Sequence, residues 1–290
     1  HSMMATERTG AFKSWTLLLA LTAFSFSLIG TFLVRSGVLN SVHSFANDPE
    51  RGLFILLILV FAITLPLALF AWRAPNLTPG APFDGVSRES GILINNLLLT
   101  ASAAIIMTGT LYPLVLDALT GAKISVGPPY YTATVVPLFA ALAVVMPLGP
   151  IILWRRGNLL STLYALRYAA AAALVALLAA LAIARPVTVL GVLAAGLGVW
   201  LIAGAISDLA RRAGSFSRLT RVGANGWAVA LAHAGLGVVA LGCVGAGVWH
   251  TEQIQVLAPG QSMTVAGYEL RLNSTEQVKG PNYMADRAHL

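Results

Sequence analysis

Apolar residues along this chain form runs long enough to cross a lipid bilayer, and short polar segments separate the runs. A hydrocarbon core about 30 Å thick needs about twenty residues of helix, since each residue adds about 1.5 Å of rise. The pattern therefore predicts an all-α polytopic membrane protein with about seven transmembrane helices. The predicted spans are residues 13–34, 52–72, 91–113, 132–154, 164–184, 187–206 and 226–249.

Only Arg185 and Pro186 separate the fifth and sixth predicted spans. These two spans therefore form either a tight hairpin or one broken helix. Both are rich in alanine and glycine, and small residues allow helix backbones to approach closely in lipid.

The hydrophobic period changes after residue 249. Apolar residues then alternate with polar ones between turn signals at Pro259-Gly260 and Ala266-Gly267, which predicts short antiparallel strands in an aqueous domain. The strands are too few to close a sheet, so we expect this β-rich domain to be truncated. The alternating apolar residues are Ile254 with Val256, Met263 with Val265, and Tyr268 with Leu270 and Leu272.

Composition supports a membrane protein over a soluble domain or a nucleic-acid-binding protein. Apolar residues make up 57% of the 290 residues and charged residues only 10%, and the mean hydropathy is +0.79. The net charge is +7, but the basic residues are dispersed among short loops, where they indicate topology and a lipid partner. The single cysteine, Cys243, excludes a disulfide within the chain.

The distribution of Lys and Arg predicts the orientation. Cytoplasmic loops of membrane proteins carry an excess of basic residues. Residues 35–51 and the tail after residue 249 are therefore expected on the periplasmic face. The cytoplasmic side would carry Arg8, Lys13, Arg73, Arg88, Arg155, Arg156, Arg167, Arg211, Arg212, Arg218 and Arg221, and the opposite short loops only Arg35, Arg51, Lys123 and Arg185.

His233 lies inside the last predicted span, about 10 Å from its cytoplasmic end. An ionisable side chain at that depth is costly and needs a partner. Small residues at positions 230, 234 and 237 flank it and would leave space for a flat group against the helix. The alternative is a neutral histidine hydrogen-bonded to a neighbouring helix.

His1 has two interpretations. The letters "HSM" are typical of a remnant of tag removal. Alternatively, residues 1–12 are the end of a truncated membrane helix followed by a cytoplasmic turn, which places His1 about 9 Å above the inner surface. His1 and His233 would then lie at nearly the same depth, as the two axial ligands of one haem iron must.

His43 lies in an amphipathic segment of the outer loop. Asn40, His43, Ser44 and Asn47 share one helical face, and apolar residues occupy the other. Such a segment can lie in the membrane interface with His43 at the centre of its polar face. The alternative is a solvated turn whose histidine has no function.

Several long blocks of the chain resemble the CcmF family of cytochrome c-type biogenesis proteins, the membrane haem lyase subunits of bacteria. The longest block is "HSMMATERTGAFKSWTLLLALTAFSFSLIGTFLVRSGVLNSVHSFANDPERG", and it is followed by "SRESGILINNLLL", "ISVGPPYY", "NGWAVALAHAGLGV" and "VKGPN". The resemblance extends over essentially the whole chain. It favours a native His1 and an internal-to-C-terminal part of a larger protein.

The resemblance implies roles for individual residues. His1 and His233 match the axial ligands of a resident haem b, and His43 matches a ligand of the haem being delivered, which makes it the candidate catalytic residue. Arg35 and Arg51, at the ends of the outer haem-site loop 35–51, are candidate partners for the propionates of the delivered haem, with simple topology anchoring as the alternative. Residues 13–249 would then form the seven-span membrane domain and residues 250–290 the incomplete periplasmic β-rich segment.

The resemblance also implies a function, cytochrome c haem lyase of the bacterial inner membrane. Its partners would be a periplasmic haem chaperone, apocytochrome c with its CxxCH motif, and a thiol-reducing subunit that handles the apocytochrome. The resident haem b would keep the delivered iron reduced, and this chain alone is expected to be inactive. The alternatives are a membrane transporter for haem or another solute, or a non-catalytic scaffold of the maturation complex; no inverted repeat supports a transporter.

Overall fold

The computed structural model describes residues 1–36, 49–184 and 187–290. Within these ranges the chain forms nine α-helices followed by four short strands. The helices are α1 (Ser2–Thr9), α2 (Lys13–Arg35), α3 (Pro49–Arg73), α4 (Arg88–Thr120), α5 (Pro128–Val145), α6 (Leu159–Ala165), α7 (Arg167–Ile183), α8 (Val189–Ala213) and α9 (Ala224–Gly247). The strands are β1 (Ser262–Val265), β2 (Tyr268–Arg271), β3 (Ser274–Lys279) and β4 (Met284–His289).

Six helices of the described residues are long and apolar enough to cross a bilayer, and α6 with α7 makes a seventh span if this pair counts as one. The axes of α6 and α7 differ by 60°. This number and the helical content confirm the prediction of a polytopic, mostly helical membrane protein.

The outer surfaces of the helices are apolar. No residue of α2 is buried, and Phe61 and Leu65 of α3 are 71% and 70% exposed. Large apolar side chains exposed along whole helices are a liability in water, but they are the expected surface of a helix in lipid.

Several predicted span ends differ from the structure, and α8, for example, continues to Ala213 beyond the predicted end at residue 206. Helix α4 continues through Pro113 to Thr120, whereas the hydrophobic pattern predicted an end at Pro113. Proline is tolerated inside membrane helices because neighbouring groups satisfy the freed carbonyl. The fourth span was predicted to reach residue 154, but α5 ends at Val145. A 3₁₀ turn, Met146–Leu148, follows it and contains Pro147.

Helices α7, α8 and α9 pack tightly against one another. Ala180 of α7 and Val192 and Ala195 of α8 form a buried apolar cluster, and Leu177 of α7 lies against Gly196 of α8. Earlier residues of α7 thus meet later residues of α8, so the two helices form an antiparallel hairpin, the first of the two predicted alternatives. The link at residues 185–186 lies outside the described residues.

The tail contains two separate antiparallel hairpins. Strand β1 pairs with β2 and β3 pairs with β4. Ala266 and Gly267 form the predicted turn with φ values of 51° and 85°, and two successive positive φ angles are typical of the tight hairpin turn that matches strand twist. Ile254 and Val256 were predicted to lie in a strand, but residues 250–258 have no regular structure.

A network of hydrogen bonds joins the start of α4 to the segment after α5. The side chain of Ser87 caps α4 by accepting from the Ser90 N–H at 3.2 Å. The carboxylate of Glu89, which is fully buried, accepts from the Arg155 N–H at 2.8 Å. The Arg88 N–H donates to the Leu153 carbonyl at 2.9 Å. These contacts fix the direction in which the Arg88 side chain leaves the helix.

Candidate haem site between His1 and His233

The structure brings His1 and His233 together. Their ring centroids lie 6.4 Å apart, and the ring planes are inclined by 68°. His1 precedes the first turn of α1, where its carbonyl accepts from the Ala5 N–H at 3.0 Å, and His233 lies in the first half of α9. Residues separated by more than two hundred positions in the sequence thus form one pair.

Contacts with α2 and α4 hold α1, and with it His1, in place. Ala5 is fully buried, and the Thr6 hydroxyl lies 3.0 Å from the hydroxyl of Thr16 on α2. The Asn96 amide of α4 donates to the Ser2 hydroxyl at 2.7 Å in a buried hydrogen bond. Asn96 thereby makes a polar link between helices next to the His1 backbone.

Close packing of α9 on α8 fixes His233. A Cβ atom placed on Gly237 would lie 2.6 Å from the Gly198 carbonyl oxygen, so the two backbones touch at this point. Ala230, on the other side of His233, is also buried. The small residues near His233 were expected to leave room for a flat group, but Gly237 and Ala230 serve the packing of α9 instead.

Two cavities meet at the histidine pair. The smaller has a volume of about 430 Å³ and the larger about 1410 Å³, and His1 and His233 line both. Ligand pockets in proteins typically measure about 300–1,000 Å³. The larger cavity lies among α2, α4, α5, α8 and α9 and is lined almost entirely by apolar side chains such as Leu99, Phe139 and Leu197.

The smaller cavity has a basic wall. Arg8 of α1, Arg88 of α4 and Arg212 of α8 line it, and no Asp or Glu of the described residues does. Arg88 donates to the carbonyls of Gly149 and Pro150, and Arg212 donates to Asp208 at 2.8 Å. The two guanidinium groups are therefore held in position by the protein, with further N–H donors left over.

The pair fits an iron porphyrin on two counts. Two imidazoles bound to opposite sides of one metal, with bonds of about 2.0 Å as in zinc sites, have ring centres roughly 6 Å apart. In addition, no side chain within residues 1–36, 49–184 and 187–290 hydrogen-bonds to either imidazole. The same part of the chain has no group of three or more His, Cys, Asp or Glu suited to a bare metal ion, whereas a porphyrin requires only two protein ligands.

Two other predicted site residues, Arg35 and Arg51, lie at the ends of α2 and α3 that face away from the histidine pair. Arg35 is the last residue of α2 and is partly buried, and Arg51 is in the first turn of α3 and is exposed. A Cβ on Gly52 would lie 2.9 Å from the Ser36 Cα, so the helix ends that carry the two arginines are adjacent. His43 falls outside the described residues.

Several residues at the site were not predicted from the sequence. Arg8, Arg88 and Arg212 were interpreted only as topology signals. Asn95 lines both cavities beside the histidines, whereas the sequence favoured a hydrogen bond between helices for it over contact with a ligand. Helical spacing could have linked these residues to the histidines. Arg88 and Asn95 are seven residues apart on α4, and His1 and Arg8 are seven residues apart around α1, so each pair lies on one helix face.

The chain is similar to known proteins both in its membrane helices and in its C-terminal tail. Residues 248–290 match the family described as the CcmF C-terminal beta-sandwich. The chain is 45% identical to the cytochrome c-type biogenesis protein CycK of Bradyrhizobium diazoefficiens over 98% of this chain and 44% of that protein. It is 43% identical to the cytochrome c-type biogenesis protein CcmF of Pseudomonas fluorescens over 99% of this chain and 44% of that protein.

The chain belongs to the CcmF family. This confirms the resemblance noted in the sequence. The chain spans about 44% of the length of the CcmF-family relatives described above. No solved structure matches the chain. The histidine pair and its two cavities therefore lie in the part of CcmF-family proteins that this chain represents.

Proposed function

We propose that this chain holds a resident haem b between His1 and His233 and acts in the biogenesis of c-type cytochromes. The observation that carries the proposal is the 6.4 Å separation of two imidazoles that lack other hydrogen-bond partners among the described residues, in a chain of the CcmF family. Relatives of this chain are named cytochrome c-type biogenesis proteins. The geometry and the family thus favour the same chemistry.

The residues of this chain would bind, orient and shield the group. His1 and His233 would hold the haem through their imidazole nitrogens, and the apolar side chains of the larger cavity would keep water away from it. A bound haem supplies one-electron redox chemistry, whose potential the protein sets through ligands and burial. The proposed use of this chemistry is to keep the iron of the delivered haem ferrous, with the electron drawn from a donor outside this chain.

The delivered haem is the substrate, and His43 is proposed to bind it on the outer face. Arg35 and Arg51, at the adjacent ends of α2 and α3, are proposed to contact its propionates. Each cysteine thiol of the apocytochrome CxxCH motif then adds across one vinyl group. An S–C bond forms at one vinyl carbon, the thiol hydrogen ends on the other, and no net oxidation or reduction occurs. The main contribution of the protein is positioning.

The cellular setting is part of the proposal. We infer a location in the bacterial inner membrane, with loop 35–51 and the tail after residue 249 on the periplasmic side, because basic residues concentrate in the opposite loops. The proposed partners are a periplasmic haem chaperone, apocytochrome c and a thiol-reducing subunit of the lyase. The haem lyase activity belongs to the complex.

Replacement of His233 tests this function in cells that make c-type cytochromes. His233→Ala in the full-length protein is expected to remove its haem b absorbance and to lower the yield of c-type cytochromes about tenfold or more, because the delivered iron would no longer be kept ferrous. His250→Ala, which changes an exposed histidine of the tail, is the matched control and should leave both unchanged. Loss of the haem b absorbance with unchanged cytochrome yield would refute the proposed redox role.

A further inference from the structure

The basic wall of the smaller cavity carries more cationic than anionic side chains. Arg8, Arg88 and Arg212 all line this cavity. Asp208 pairs with Arg212, but among the described residues no carboxylate lines the cavity itself. Cations near a membrane span are stabilised by anionic partners, so a wall of three arginines suits an anionic ligand.

The distance between the basic wall and the histidines limits which anions could bind there. Arg8 follows His1 by seven residues and Asn225 precedes His233 by eight, so the polar end of the cavity lies about 10 Å along the helices from the imidazoles. That distance is comparable to the reach from a porphyrin centre to the end of a propionate arm. The anion is therefore within reach of a group centred on the histidine pair.

The two cavities together match an amphipathic ligand with one acidic edge. The larger cavity offers an apolar lining, and the smaller one offers guanidinium groups, which bind carboxylates in a planar, two-pronged geometry. Arg88 is further oriented by Trp154, whose ring centre lies 5.1 Å from the guanidinium carbon. Donors held in place before binding lose less entropy when the ligand arrives.

We infer that Arg8, Arg88 and Arg212 bind the propionate carboxylates of the resident haem, which fixes the haem with its acidic edge toward the end of the bundle where α4 and α9 begin. This inference rests on the proposed function, because it assumes a haem between His1 and His233. It assigns the three arginines to the resident haem, and Arg35 and Arg51 remain candidates for the delivered one.

A comparison of haem with its dimethyl ester tests the assignment, because the ester lacks the two carboxylate charges. The full-length protein, purified without haem, is titrated with each compound, and binding is followed by the Soret absorbance. Arg212→Gln is expected to weaken haem binding about tenfold, as for loss of a charge-assisted hydrogen bond, and to leave binding of the ester unchanged. Arg211→Gln, a neighbouring arginine that does not line the cavity, is the control and should change neither.

The possible results separate this inference from the function on which it rests. If Arg212→Gln weakens the binding of haem and of its ester equally, the arginine only supports the fold. If it weakens the binding of neither, the arginine contacts no propionate. Either result overturns the inference and leaves the proposed haem between His1 and His233 intact. Failure of the unmodified protein to bind haem would overturn both. If Arg212→Gln does not fold, Arg8→Gln replaces it, since no described residue hydrogen-bonds to Arg8.

Discussion

At the scale of single residues, Gly237 is the position where the site depends most directly on backbone contact. The helix crossing of α8 and α9 leaves no room for a Cβ atom there, since it would lie 2.6 Å from the Gly198 carbonyl oxygen. A Cβ atom on Gly235, two residues earlier on the same helix, would meet no atom of a neighbouring element within 4 Å. The two glycines offer the same substitution in two different surroundings.

We expect Gly237→Ala to destabilise the full-length protein by about 1–3 kcal/mol, because overpacking forces α8 and α9 apart. Gly235→Ala should be neutral or stabilising by up to about 1 kcal/mol, because alanine has the higher helix propensity. Thermal unfolding in one detergent measures both. Equal effects of the two substitutions would contradict the close α8–α9 contact.

Which site residues the sequence predicted depended on their depth in the membrane. His233 could be identified because an ionisable residue in the middle of an apolar run has few structural explanations. Arg88 and Arg212 could not, because arginines at helix ends are common for topological reasons. Their role depends on which helix ends come together, and that information is not in the local pattern.

At the scale of helices and strands, hydrophobic runs predicted the spans well but not their ends. Pro113 was taken as a stop for α4, whereas the helix continues for another seven residues to Thr120. The rule for soluble helices is weaker in a bundle, where neighbouring groups compensate for the lost hydrogen bond. The bend between α6 and α7 was also not predicted, because the fifth span was predicted to begin only at residue 164 and the sequence has no proline or glycine at the bend.

Only the strands with alternating apolar and polar residues were predicted from the sequence. The alternation of Met263 and Val265 with Tyr268 and Leu270 predicted β1 and β2, and these residues pair across the hairpin as Met263 with Leu270 and Val265 with Tyr268. Strands β3 and β4 were missed because their sequences, "STEQVK" and "MADRAH", are polar and do not alternate. Exposed strands stabilised mainly by backbone pairing carry little hydrophobic signal.

At the scale of the whole molecule, the orientation in the membrane can be tested with a pair of exposed positions on either side of α9. Ser217 lies in the turn before this helix and Gln253 in the tail after it. In a full-length protein without other cysteines, Gln253→Cys should react with an impermeant maleimide in intact spheroplasts. Ser217→Cys should react only after the membrane is permeabilised. The reverse labelling would contradict the proposed orientation.

The arrangement of the whole bundle has one functional consequence. The ends of α1 and α8 and the beginnings of α4 and α9 meet at the basic cavity, while Arg35 and Arg51 lie at the other end of α2 and α3. The proposed resident and delivered haems would therefore lie at different depths of the membrane. One electron would have to pass between them across part of the bundle.

The absorption and electron paramagnetic resonance spectra of the purified full-length protein with single histidine changes test the proposed histidine ligands of the haem. We expect a low-spin haem b with two histidine ligands that is lost in His1→Ala and in His233→Ala and retained in His43→Ala. A haem b spectrum that persists unchanged in both His1→Ala and His233→Ala would contradict this proposal.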